Sequence, residues 1–155
     1  MSEIEKRMFL LFPPLAYRIR VIQSELELKG VKMVVHETFR SPERQRQLFL
    51  GKKVTKADQW RSWHQYGLAA DLVFDMDPKK KGIQDPYKGP FALFGKLVKA
   101  HGLTWGGDWG DMVHVQMDRG MKISEADMIN QKNGILGVWQ EVARRENPLY
   151  SFDGP

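Results

Sequence analysis

The sequence contains no cysteine. That excludes a disulfide framework and every thiolate metal site, so any metal must be held by histidine and carboxylate. No apolar stretch is long enough to span a bilayer. The N-terminal "MSEIEKRMFLLFPPLAYRIR" carries charge on both sides of a very short apolar run. It lacks the longer apolar region and small-residue cleavage site of a signal peptide. The expectation is a chain made in the cytoplasm without a signal peptide and not inserted into a membrane. Internal repeats and linkers are also missing, so the 155 residues read as one domain, 1–155. That length can bury a core without staples.

What is present is ordinary in composition, 42% hydrophobic and 28% charged, but unbalanced in charge, at +5. A positive surface favours anionic partners: nucleic acid, anionic lipid or an acidic wall polymer. The lysines and arginines are scattered and no recognition motif appears, so no nucleic-acid partner is expected. The most basic cluster, Lys79 to Lys81 in "DMDPKKKG", reads as a solvated loop.

The periodicities point to an α+β fold, a small and mainly antiparallel sheet with helices packed on it. "PPLAYRIRVIQSELELKG" predicts a helix, with Leu15, Ile19, Ile22 and Leu26 at helical spacing and Gly30 as its stop. "VKMVVHETF" predicts a strand. "SPERQRQLFLG" predicts a helix with Ser41 as N-cap and Pro42 at the first position. After an irregular stretch to about Tyr66, "ADLVF" predicts a second strand and "GPFALFGKLVKAHG" a helix. "MVHVQM" alternates as a strand, and "GILGVWQEVARR" reads as a C-terminal helix with an apolar stripe for the body of the protein.

"SWHQYGLAAD" poses the chemical question, because Asp71 opens a strand that otherwise looks built for a core. A lone buried carboxylate is costly and persists only when paired or bound to a metal. In the strand "VHVQM", His114 and Gln116 point to one face and Val115 to the other. If "ADLVF" lies beside it, Asp71 and His114 come together, and His64 arrives from the preceding loop. Two imidazoles and a carboxylate form a zinc site with its fourth position open, the pattern of catalytic zinc. Asp111, three residues before His114, is placed to serve as the base such a site needs. Arg40 could bind a substrate carboxylate or a developing oxyanion. Each residue also admits a plainer role: His64 as a loop histidine, Asp71 and Asp111 as turn residues, His114 as a satisfied core histidine.

The ordered set "FRSPERQ", "SWHQYGLAAD", "TWGGDW" and "DMVHVQ" resembles the zinc D,D- and L,D-peptidases of bacterial cell walls. That family holds the VanY-type carboxypeptidases and the phage L-alanyl-D-glutamate endolysins. Ser62, His64, Gly67, Ala69 and Asp71 match its Ser-x-His-x-x-Gly-x-Ala-x-Asp pattern, and Asp111 and His114 match its Asp/Glu-x-x-His. Arg40, Ser41 and Gln45 match its Arg-Ser-x-x-x-Gln, while "WGGDW" resembles the endolysin branch. Val115 departs from the phenylalanine frequent in that branch.

The resemblance spans roughly Val31 to Met117. It leaves 118–155 as a helical C-terminal extension on a core of about 31–117. It implies a hedgehog/D,D-peptidase-like fold with Zn2+ on His64, Asp71 and His114, Asp111 as base and Arg40 as electrostatic helper. Ser62, Gln45, Trp105 and Trp109 are the candidate substrate-binding residues. The implied activity is a zinc-dependent peptidoglycan hydrolase, an L-alanyl-D-glutamate endopeptidase of the endolysin type. It would act on the wall stem peptide as a monomer, after release through a breached membrane. The alternatives are a D,D-carboxypeptidase and a non-catalytic zinc module of the same fold. Of the other two histidines, His36 is a candidate for the cleft and His101 reads as an ordinary helix residue.

Overall fold

The computed structural model describes residues 4–51 and 57–147. Four helices are arranged around a four-stranded antiparallel sheet: α1 (Pro13–Leu28), α2 (Pro42–Leu50), α3 (Phe91–Ala100) and α4 (Ile123–Glu146). The strands β1 (Lys32–Glu37), β2 (Ala69–Asp75), β3 (Thr104–Trp105) and β4 (His114–Gln116) stand in the order β1-β2-β4-β3. This is the α+β arrangement the periodicities predict.

One face of the sheet is apolar and carries the core. Ala70, Leu72 and Phe74 of β2, Met33 of β1 and Val115 of β4 face it. The predicted stripe of α1 (Leu15, Ile19, Ile22, Leu26) is buried against this face. Phe91, Phe94 and Val98 of α3 join the same cluster, as do Val138, Trp139 and Val142 of α4. Residues before position 31 and after position 117 therefore share one core with the sheet. No helix among the described residues is long and apolar enough to cross a membrane.

The C-terminal helix α4 is broken at Gly134, whose φ 72° and ψ −177° are not helical; the segment after the break is the expected helix, and the segment before it, from Ile123, is an addition to the expectation. Its first half, "ISEADMINQKN", fully buries Ala126 alone, so the apolar signal there is thin.

The opposite face of the sheet carries the polar residues, because alternation along β2 and β4 turns Asp71 and His114 away from the core. In register, Asp71 pairs with His114 on one side and with Glu37 on the other. A register irregularity between Val35 and Glu37 ends the regular pairing of β1 beside this spot.

Candidate metal centre

His64 is carried on a single 3-10 turn, Trp63–Tyr66. Ser62 caps it, its Oγ accepting from the His64 N–H, while the Gln65 side chain accepts from the Ser62 N–H. The turn ends at Gly67, in the left-handed region at φ 67°, where a Cβ would lie 2.8 Å from the Leu10 carbonyl oxygen and 3.0 Å from the Trp139 ring. Only glycine fits this exit without strain. Beneath the turn, Trp139 Nε1–H donates to the Tyr66 carbonyl at 2.6 Å and the Phe12 N–H donates to the Gly67 carbonyl at 2.9 Å.

Ligand-capable atoms of His64, Asp71 and His114 all lie within 4.8 Å of one another. Asp71 Oδ1 is 3.2 Å from His64 Nε2 and 3.2 Å from His114 Nδ1. The far nitrogens decide what the near ones carry. His64 Nδ1 is 2.8 Å from the Thr38 carbonyl, which can only accept, so that nitrogen bears the hydrogen. His114 Nε2 is 2.8 Å from Gln116 Oε1, and the Gln116 amide is oriented by its own donation to Asp118. The hydrogen of His114 therefore sits on Nε2. With neutral rings, two imidazole lone pairs and a carboxylate oxygen converge with no hydrogen among them. A cation satisfies that arrangement, and outer hydrogen bonds of this kind are what orient metal-binding histidines. Two nitrogens, one oxygen and no sulfur suit a divalent transition metal.

With the rings protonated instead of metal-bound, the same three groups stabilise one another as charges. Burial would raise the Asp71 carboxyl, but His64 charge and the hydrogen bonds from His114 and His64 hold it well below the usual carboxylate range. Burial would lower His114, and its bond to Asp71 more than offsets that, so it is pushed up. Asp111 follows at the rim, with Oδ2 4.0 Å from His114 Nδ1 and its side chain 49% exposed. Its partial burial and the Asp71 charge push its carboxyl up, against the lowering influence of His114, His64 and Arg40. Gly106 makes the turn possible, since a Cβ there would run into the Asp111 carbonyl and the His114 side chain.

A cleft of about 1000 Å³ opens over these residues. His36, Arg40, Ser62, His64, Asp71, Trp109, Asp111 and His114 reach it. The other expected residues have different placements. Gln45 is fully buried behind the wall, accepting from Arg40 Nη1 at 2.9 Å and donating to the Ala57 carbonyl at 2.6 Å. Trp105 does not line the cleft: its Nε1–H donates to the Met112 carbonyl at 2.8 Å, and its ring is wedged against Gly95 and Gly107. Neither side chain lines the cleft, and both support its walls. His101 pairs with Glu25 at 3.0 Å on the far side, and Asp108 pairs with Lys99 at 2.8 Å.

Arg40 also departs from the expectation of an open fork for substrate. Its Nε and Nη2 donate to the two oxygens of Glu37 at 3.1 and 2.7 Å, and Nη2 stands 3.7 Å from Asp71 Oδ2. Its side chain is 7% exposed. It is a fixed positive charge behind the Asp71 carboxylate. Glu37, which holds it, was not singled out from the sequence, nor were Arg44, Gln116 and the Thr38 carbonyl. A glutamate placed near Arg40 and Arg44 is visible in "HETFRSPER", but it carries no metal-ligand spacing of its own.

Residues 55–117 match the family model described as D-alanyl-D-alanine carboxypeptidase. Peptidoglycan L-alanyl-D-glutamate endopeptidase CwlK of Bacillus subtilis (strain 168) is 32% identical over 109 residues, covering 57% of this chain and 62% of the relative. The chain thus spans less than two thirds of that relative's length. The solved L-Ala D-Glu endopeptidase ChiX of Serratia marcescens matches with a TM-score of 0.51 and 26% identity, over 70% of this chain and 81% of ChiX.

Proposed function

We propose, from the resemblance of this chain to the D,D-peptidase family, that this protein is a peptidoglycan hydrolase cleaving the L-alanyl-D-glutamate bond of the stem peptide. The observation that carries the reading is the convergence of three hydrogen-free acceptors, on His64, Asp71 and His114, at the floor of an open cleft. Those three residues would hold one zinc ion. Zinc bound there supplies Lewis acidity toward the scissile carbonyl and lowers the cost of deprotonating the attacking water. The protein side chains account for the remaining roles. Asp111, at the rim and within reach of the same space, takes a proton from water and returns it to the departing amine nitrogen. Thr38 and Gln116 fix the two imidazoles in the tautomers that leave Nε2 of His64 and Nδ1 of His114 free to ligate. Arg40 adds a fixed positive charge 3.7 Å behind the Asp71 carboxylate. Trp109, 56% exposed on the rim, offers an apolar face to the stem.

The endopeptidase reading draws on the activities named for CwlK and ChiX. The family model's description favours the competing outcome, removal of a terminal D-alanine. Digestion of purified peptidoglycan, followed by mass spectrometry of the new termini, separates the two. N-terminal D-glutamate that vanishes on chelation of zinc is the expected result. Free D-alanine as the sole product would refute the bond assignment.

A further inference from the structure

We infer that Arg61 makes the cleft selective for a free carboxylate on the carbon bearing the scissile nitrogen, an inference that rests on the peptidase reading and deepens it. Three arginines among the described residues reach the cleft: Arg40, Arg44 and Arg61. Two of them are committed. Arg40 spends Nε and Nη2 on Glu37, and Arg44 Nε donates to the same carboxylate at 2.6 Å. Their side chains are only 7% and 9% exposed. Turning either guanidinium toward a ligand would strand Glu37 in a buried site, which is expensive.

Arg61 is placed differently. It is exposed on the cleft wall, and its guanidinium forms no ion pair among the described residues. Its backbone is fixed, the N–H donating to the Asp58 carbonyl at 3.1 Å. It stands one residue before Ser62 and three before His64, so its stem starts beside the proposed reaction centre. A carboxylate arriving there meets an unshared planar fork and displaces no internal partner. The same cleft also carries exposed aromatic faces, Tyr87 at 61% and Trp109 at 56%. The cleft thus offers a ligand both an exposed cation without an ion-pair partner among the described residues and apolar faces.

The stem peptide has the matching charge. Its D-glutamate continues the chain through the γ-carboxyl, so the α-carboxylate stays free on the carbon attached to the scissile nitrogen. Converting that carboxylate to the amide, as in D-isoglutamine, removes the charge and changes little else. That single change is the probe.

The experiment compares the zinc-loaded protein on two synthetic stem tripeptides, L-Ala-γ-D-Glu-L-Lys and its D-isoglutamine counterpart. The wild type is expected to favour the carboxylate by about tenfold or more in kcat/KM, the scale of a charge-assisted hydrogen bond. In Arg61→Gln that ratio should fall to about one, and Arg61→Lys should keep part of it. Calorimetric binding of both peptides to the Asp111→Asn protein gives the same ratio without turnover. An undiminished ratio in Arg61→Gln, or a wild type indifferent to amidation, would overturn the inference while leaving the peptidase reading intact. A wild type that cuts neither peptide would overturn both.

Discussion

Trp139 lies in the C-terminal helix, yet it touches the segment that carries His64. Its indole N–H donates to the Tyr66 carbonyl at 2.6 Å, its ring would be 3.0 Å from a Cβ at Gly67, and it packs at a tilt against Phe12 at 5.5 Å between centroids. Replacing it by phenylalanine keeps most of the ring and removes the donor. The Tyr66 carbonyl is then buried without that partner, which should cost about 1–3 kcal/mol of stability. Trp139→Ala adds a cavity and should cost about 3–5 kcal/mol. Because the 3-10 turn has only four residues, loss of this clamp should loosen His64 as well. Outer supports of metal ligands are typically worth 10–100-fold in affinity, and Trp139 acts one bond further out, so Trp139→Phe should weaken zinc binding by up to about tenfold. Denaturant unfolding of the chelated protein measures the first effect. Competition with a chromophoric chelator, under conditions where the variant is folded, measures the second. Reduced stability with unchanged zinc affinity would refute the positioning role and leave Trp139 as core filling.

Two further predictions use the same assays. Asp111→Ala should retain zinc and stability, since the side chain is half exposed, and should lose on the order of 100-fold or more in turnover; near-normal turnover would remove Asp111 from the mechanism and favour a binding module. Glu37→Gln should destabilise the fold by about 3–5 kcal/mol, because it leaves the buried Arg40 and Arg44 without their shared carboxylate. The pH dependence follows in sign: burial would raise Glu37, but the bonds from Arg40 and Arg44 bring it below its ordinary value. Its contribution is present above the unfolded carboxylate pKa and disappears as pH falls through the lower folded one. The acid limb of a stability profile should therefore be shallower in Glu37→Gln than in the wild type, and parallel limbs would contradict the assignment.

The helices were legible where an apolar stripe met a clear terminus. α1 has Leu15, Ile19, Ile22 and Leu26 at regular spacing, and α2 has the Ser41–Pro42 start. The first half of α4 was not, because its polar face dominates and Ala126 supplies little signal. At the site, alternation on β2 and β4 fixes the face that Asp71 and His114 take, while His64 and Asp111 lie outside both strands and their inclusion rests on the family resemblance of the motifs rather than on alternation. The roles of Gln45 and Trp105 were not readable in the same way. Both sit in motif positions, but a motif position says nothing about whether a side chain faces the cleft or backs its wall. That distinction depends on where α2 docks and on how close Gly95 and Gly107 let the Trp105 ring approach.

The same limit explains why Glu37 escaped notice and why it matters. It stands opposite Asp71 in the strand register, so two carboxylates occupy neighbouring strands on one buried face. Left alone they would repel, and one would protonate. Arg40 sits between them, 2.7 Å from Glu37 and 3.7 Å from Asp71, and Arg44 adds a second positive charge on Glu37. The cluster of two carboxylates and two guanidiniums is neutral in sum, so Glu37 adds no uncompensated negative charge beside Asp71, which His64 and His114 hold ionised. A protonated Asp71 would be a poor ligand, because metal binding has to displace the proton. The candidate ligand set is thus backed by a charge arrangement one layer behind it. That layer is assembled from β1, the loop after it and α2, three pieces of sequence that share no metal-ligand spacing.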